Sequence, residues 1–353
     1  MFVGIWVRYL IGGMMRAFDG FLKGVNLGGW LSQYREGTKE HFDTFITKSD
    51  LVRIANAGFD HVRVPVDYEV IETDDEEDIE EGYEYITTCI DWCRELGLKM
   101  MIDLHKAYGY SFDPLDKDMD REAFFHDKGL QERFYRLWDR ISSRYSSYSD
   151  MLSFELLNEV VSPNVVNEWN DIAREASLVI RKNAPDSYIV IGGVCYNNVT
   201  SVPLLGAPID DKIVYNFHCY EPLVFTHQRA YWVDNMPKDL VMNYPDSLEI
   251  YREKSQLLAQ DLADAINEGE ITELGPSLFD TLFKPAVEMA EKMNVPLYCG
   301  EYGVIDLAPA DSAKRWFADI HSIFNKYGIG HAAWSYKEMD YGHTVGRVFF
   351  DMD

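Results

Sequence analysis

Short, almost continuously apolar runs alternate along the chain with longer segments in which apolar residues recur every three or four positions. The runs are LKGVNL (22–27), HVRVPV (61–66), LKMMIDLH (98–105), LSFELLN (152–158), SYIVIGG (187–193), KIVYNFH (212–218), PLYCGE (296–301) and HAAWSY (331–336). Runs of this kind are what strands covered on both faces of a parallel sheet require. Helical periodicity marks 48–57, 81–96, 128–145, 164–183, 278–293 and 311–327, each with an apolar stripe to bury. Gly58, Gly97 and Gly328 follow three of these segments, where a left-handed residue commonly ends a helix. Eight strands with helices between them predict an α/β fold, the (β/α)8 TIM barrel. A doubly wound sheet is the competing arrangement, but GGWL after the first run lacks the glycine spacing of a phosphate loop.

Two irregularities qualify the pattern. The sixth and seventh runs start 84 residues apart, at 212 and 296, and the surplus at 222–277 contains the helical stretch LEIYREKSQLLAQDLADAI. A helical subdomain inserted after strand six is expected there, on the face where barrel enzymes build their sites. Only 19 residues follow Trp334, with Gly342 and Gly346 among them, so the eighth helix should be short or missing. Residues 1–15 form an apolar extension with neither a basic leading region nor a small-x-small cleavage site. No clear cleavable signal peptide is read there, which leaves a cytoplasmic and an extracellular location both open. The extension is expected to cover the flank left by a short last helix, and 16–353 reads as one barrel domain carrying the insertion.

Composition narrows the function class. At 47% hydrophobic and 14% aromatic, 353 residues can bury a large core. Against 33 basic residues stand 59 acidic ones, a net charge of -26, and such a field repels phosphate backbones and anionic membrane surfaces. Neither nucleic acid nor membrane is therefore an expected partner, whereas a neutral substrate would be indifferent to the charge. The five cysteines show no C-x-x-C spacing; Cys89 and Cys93 share a helix face, and Cys219 and Cys299 read as small fillers. The acidic run ETDDEEDIEE (72–81) does not follow the ligand spacing of an EF-hand loop and reads as a solvated loop.

In a barrel, the C-terminal ends of all strands open onto one site. Strand two brings Arg63 there, strand three His105, and strand four Asn158 and Glu159. Strand six brings His218 and Tyr220, strand seven Glu301 and strand eight Trp334. Polar residues at equivalent points of so many apolar strands point to a shared task. Two carboxyl groups facing each other across the mouth suit glycoside hydrolysis, where one donates a proton and the other stays ionised to attack. Arg63 beside Glu301 would keep that carboxylate charged. Asn158 could hold a sugar hydroxyl, His218 and Tyr220 could orient the glutamates, and Trp334 could floor a sugar ring. Tyr34, Tyr110, Tyr196 and Trp232 are further candidates for sugar subsites. The acid/base pair needs no metal or organic cofactor.

GVNLGGWL, HVRVPVDY, DLHKAYG, ELLNE, NFHCY, CGEYGV and AAWSY resemble, in order, the motifs of glycoside hydrolase family 5, and the resemblance covers the chain from about 22 to 341. KEHFDTFIT (39–47), FTHQ (225–228) and PLYCGEYGVI resemble a clostridial endoglucanase branch. The resemblance implies a retaining (β/α)8 enzyme with Glu159 as acid/base and Glu301 as nucleophile, supported by Arg63, His105, Asn158, His218, Tyr220 and Trp334. Retention asks for carboxyl groups about 5–5.5 Å apart. It also implies a β-glucan polysaccharide or oligosaccharide partner, cut at internal β-1,4 bonds. The alternatives are β-mannanase or β-1,3-glucanase action, or a barrel that binds carbohydrate without catalysis. One departure stands in the third-strand motif: Lys106 and Tyr108 follow His105 where the clostridial branch has a second histidine and a proline, so a minus-side subsite is expected to hold sugar differently.

Overall fold

The structure is a computed structural model that describes residues 15–116, 119–258, 265–267 and 271–350. Its eight strands are β1 (Lys23–Asn26), β2 (His61–Asp67), β3 (Lys99–Lys106), β4 (Leu152–Glu155), β5 (Tyr188–Gly192), β6 (Ile213–Cys219), β7 (Leu297–Tyr302) and β8 (Gly330–Ala333). All pair in parallel, each with its neighbour in sequence, and β8 closes on β1 through Val25 opposite Ala333. The eight apolar runs are these eight strands, and the fold is the (β/α)8 barrel.

The outer layer contains α1 (Lys48–Asn56), α2 (Glu80–Leu96), α3 (Lys128–Arg144) and α4 (Val166–Asn183). Later in the chain come α5 (Leu248–Ser255), α6 (Pro276–Met293), α7 (Ala310–Tyr327) and α8 (Gly342–Phe349). Each helix buries one stripe: α3 turns Phe134, Leu137, Trp138 and Ile141 inward, and α4 turns Trp169, Ile172, Ala176 and Ile180. Gly58, Gly97 and Gly328 have φ of 77°, 71° and 68°, the left-handed geometry expected of them. The last helix is short, at eight residues, and the chain after it lays Phe350 in a stack on Phe59 at 5.4 Å. Between β5 and β6 the α-helical segment, Val194–Asn197, is one turn long and irregular. Cys195, Tyr196 and Asn197 make a left-handed turn with φ of 53–58°, followed by a 3-10 helix at Val199–Leu204. No described helix is long and apolar enough to cross a membrane.

Strand side chains alternate between the two faces of the sheet. Outward-facing Val62, Val64, Met100, Ile102, Phe154, Ile189, Ile213 and Leu297 join the large cluster packed beneath the helices. The inward faces divide by height. At the N-terminal end, Phe18 and Phe21 stack at 4.3 Å and plug the barrel against Met101, Val190, Val214, Tyr298 and Ala332. Above this plug the interior turns polar, with Asn26, Arg63, Asp103, Glu155 and Asn216 all buried. Near-continuous apolar lettering thus conceals a charged interior layer.

The extension at 1–15 lies, apart from Met15, outside the described residues, as does part of the helical stretch at 248–266. In the segment after β6, the described residues include α5 and a 3-10 turn at Ala265–Asn267. The segment is tied to α7, with the Tyr244 hydroxyl donating to Asp319 Oδ2 at 3.0 Å and Arg315 Nε donating to the Tyr244 carbonyl at 2.7 Å. The acidic run is largely the solvated loop expected of it, with Asp74, Asp75, Glu77, Asp78, Glu80 and Glu81 exposed, but Glu72 is buried and several of its carboxylates are paired. Arg133 pairs with Glu72 at 2.7 Å, Arg136 with Glu76 at 2.7 Å, Arg140 with Asp78 at 2.9 Å and Arg144 with Glu80 at 2.6 Å. These arginines recur every three or four residues along one face of α3, so the run is held as a zipper of ion pairs.

Candidate active site

Arg63 organises the mouth of the barrel. Its Nε and Nη2 donate to Glu155 at 2.6 and 2.9 Å, and Nη2 also donates to Asn158 Oδ1 at 2.9 Å. Nη1 donates to Asn26 Oδ1 at 2.9 Å and to Glu301 Oε1 at 2.8 Å. Asp103 stands 3.0 Å from Nη2. A fully buried guanidinium is tolerated because every arm of its rigid fork meets an acceptor.

Glu301 is also positioned through the backbone before it. The Gly300 N–H donates to Asn216 Oδ1 at 2.8 Å, and the Gly300 carbonyl accepts from Asn26 Nδ2 at 2.9 Å. Tyr220 donates its hydroxyl to Glu301 Oε2 at 2.9 Å. Burial raises the Glu301 pKa, while the Arg63 charge and the Tyr220 hydrogen bond pull the other way.

Glu159 meets a different environment. Its carboxylate lies 2.8 Å from His218 Nδ1, whose distance to Glu301 Oε2 is 3.7 Å. Burial first and the Glu301 charge second push the Glu159 pKa well above the ordinary carboxylate range. Burial also keeps His218 neutral, lowering its pKa well below 6.5. One oxygen of each glutamate and a ring nitrogen of His218 all lie within 4.8 Å of one another. Glu159 has φ of 35°, a left-handed conformation that persists only where neighbours impose it. Tyr110 does so: its hydroxyl donates to the Glu159 carbonyl at 2.6 Å and accepts from the Val161 N–H at 2.9 Å.

Trp334 and His105 stack with rings 4° from parallel and centroids 5.7 Å apart. A Cβ on Gly28 would come within 2.9 Å of the Trp334 ring, so this position in GVNLGGWL is glycine to admit the indole. His105 Nδ1 pairs with Asp103 Oδ2 at 2.5 Å, and burial lowers the His105 pKa to about 3. Its Nε2, like Asn158 Nδ2, is buried without a hydrogen-bond partner among the described residues. Two unpaired polar atoms at the mouth leave hydrogen-bonding capacity that a ligand could take up.

A family profile described as "Cellulase (glycosyl hydrolase family 5)" matches residues 22–340. The chain belongs to glycosyl hydrolase family 5. Cellodextrinase A of Ruminococcus flavefaciens is 41% identical over 310 residues, covering 88% of this chain and 84% of that protein. Endoglucanase C of Acetivibrio thermocellus is 41% identical over 326 residues, covering 91% and 92%. In fold, the chain resembles Thermotoga maritima Cel5A in complex with cellobiose, with a TM-score of 0.71 at 23% identity over 91% of this chain and 92% of that one. This family-5 protein is a glycoside hydrolase.

The structure bonds Arg63 to Asn158 and Glu301, Glu301 to Tyr220, and Glu159 to His218; the two sets meet where His218 Nδ1 lies 3.7 Å from Glu301 Oε2, and His105 and Trp334 stack on each other. Of the four aromatic subsite candidates, Tyr110 is buried to 1% exposure and its hydroxyl is taken up by the Glu159 carbonyl and the Val161 N–H, so it is a brace for Glu159. Tyr34, Tyr196 and Trp232 are half-buried. At the departing third-strand motif, Lys106 binds Asp116 at 2.9 Å and Tyr108 lies under Arg133 at 3.6 Å, so both serve the loop that follows β3. Asn26, Asp103, Glu155 and Asn216 were missed from the sequence. Asp103 and Glu155 had a readable signal, a lone charge inside an apolar strand.

Proposed function

We propose that the protein is a retaining endo-β-1,4-glucanase in which Glu159 is the acid/base and Glu301 the nucleophile. The carrying observation is the asymmetry of the buried pair. Arg63 and Tyr220 both bind Glu301, while Glu159 faces neutral His218 and the Glu301 charge. At neutral pH this favours a proton on Glu159 and a charge on Glu301, the division of labour that glycoside cleavage needs. Oxygens within 4.8 Å support retention, since inverting enzymes separate the two carboxyls by about 6.5–9.5 Å to admit a water.

In the first step a Glu301 oxygen bonds to the anomeric carbon as the glycosidic C–O bond breaks and Glu159 gives its proton to the departing oxygen. In the second, Glu159 takes a proton from water, the water oxygen bonds to the same carbon, and Glu301 leaves as carboxylate. Asn158 and His105 offer their unpaired atoms to hydroxyls of the reacting sugar, and Trp334 packs under its C–H face. We read 16–353 as one catalytic unit and 222–277 as a subdomain bordering the cleft. The contact of His227 with Tyr220, 4.9 Å between ring centroids, supports that placement. A cellodextrinase and an endoglucanase among the relatives support glucan chains as the substrate.

Reducing-sugar release is to be compared on carboxymethylcellulose, barley glucan, laminarin and mannan, with the first product's anomer followed by proton NMR. The expected result is rapid cleavage of the first two substrates and initial release of the β-anomer. Preference for laminarin or mannan would replace the substrate, and initial α-anomer would overturn the double displacement.

A further inference from the structure

The loop after β8 presents a residue to the site that no strand end supplies. Lys337, Met339 and Asp340 have φ of 75°, 65° and 59°, and non-glycine residues hold such angles only where surrounding contacts demand it. Those contacts are present. Tyr336 donates its hydroxyl to Asp50 Oδ1 at 2.9 Å, and Lys337 Nζ lies 3.0 Å from the same oxygen. The Asp340 carbonyl accepts from the Asp306 N–H at 2.7 Å, and the Asp306 carboxylate accepts the N–H groups of His343 at 3.2 Å and Thr344 at 2.7 Å. Between these anchors stands Tyr341.

The Tyr341 ring lies 5.9 Å from Tyr220, which binds Glu301, and 5.7 Å from His227. A Cβ on Gly303 would fall 3.2 Å from Tyr341 Cδ1 and 2.5 Å from the Trp334 carbonyl oxygen. Gly303, two positions beyond Glu301, is thus the gap through which Tyr341 reaches in beside Tyr220 and the end of β8. The residue is 3% exposed, and its hydroxyl is buried with no hydrogen-bond partner among the described residues. Burial first, then the Asp340 and Glu301 charges, raise the Tyr341 pKa well above the ordinary value, so the hydroxyl keeps its proton. An unpaired buried hydroxyl weakens the free fold, and phenylalanine would fill the same space without that cost. His105 Nε2 and Asn158 Nδ2 are left unpaired in the same way.

We propose that Tyr341 is a further substrate-contacting residue, whose hydroxyl donates to a hydroxyl oxygen of the sugar seated between Trp334 and the glutamate pair. This rests on the glycosidase reading above. The test compares wild type with Tyr341→Phe on cellotetraose and on a series of aryl cellobiosides each lacking one hydroxyl, alongside thermal unfolding of the free enzymes. Loss of one neutral hydrogen bond predicts a fall in kcat/KM of about tenfold, with Tm unchanged or raised. The analogue lacking the contacted hydroxyl should be cleaved equally by both enzymes. Unchanged kcat/KM throughout would overturn the proposal. So would a loss identical for every analogue and accompanied by a lowered Tm, which marks a packing role. A wild type inactive on all of these sugars would instead refute the glycosidase reading.

Discussion

Glu159 carries two burdens, a left-handed backbone and a carboxyl group buried beside a second one. Its raised pKa has a consequence of definite sign. A carboxyl group whose folded pKa lies above its unfolded value destabilises the fold once pH exceeds the unfolded value, about 4.3 for Glu. Glu159→Gln keeps the shape and removes that penalty. The variant should melt at a higher temperature than wild type at pH 7–8, with the difference vanishing towards pH 4, while cleavage of unactivated glucan falls at least about 100-fold. Equal melting temperatures across the range would show that neither burial nor the Glu301 charge penalises the ionised Glu159. Sequence alone raised the question of Glu159 but could not name its brace, because Tyr110 is 49 residues away and acts on a carbonyl rather than a side chain.

Helix α3 shows how much an element's role depends on what faces it. Its apolar stripe was legible as periodicity, whereas its arginines acquired a role only when the fold laid residues 72–80 beside them. Within the zipper, burial decides which pair matters. Glu72 has a fully buried side chain between Arg133 and Arg140, while Glu76 and Arg136 remain largely in water. Glu72→Ala should cost about 3–5 kcal/mol in chemical denaturation, because the buried Arg133 loses its counter-charge and Arg140 is left with Asp78 alone. Glu76→Ala should leave the midpoint unchanged, as exposed pairs commonly do. Equal effects of the two substitutions would mean that the zipper acts through summed surface charge.

For the whole molecule, the barrel interior separates stability from chemistry by height: an apolar plug below, the Arg63 network above it, and the open mouth at the top. Phe18→Ala removes a fully buried ring from the plug and should lower stability by about 3–5 kcal/mol. At temperatures where the variant stays folded, KM and kcat should match wild type. A changed KM would show that the plug governs strand spacing at the mouth. The contribution of Phe18 was not visible beforehand, since it precedes the first strand and carries no periodicity.

Local lettering specified strands, helices, helix ends and the polar strand tips at the barrel mouth, because hydrophobic period and end-capping are short-range properties. It also named both glutamates, as each terminates an apolar run. Other features depended on distance in space. Asp103 and Glu155 became partners of Arg63, Asn26 and Asn216 became clamps on Gly300, and Tyr341 came to rest beside Tyr220. These are relations between chain segments brought together only by closing the barrel. A charge inside an apolar strand announces that a partner exists, and the closed sheet decides which one it is.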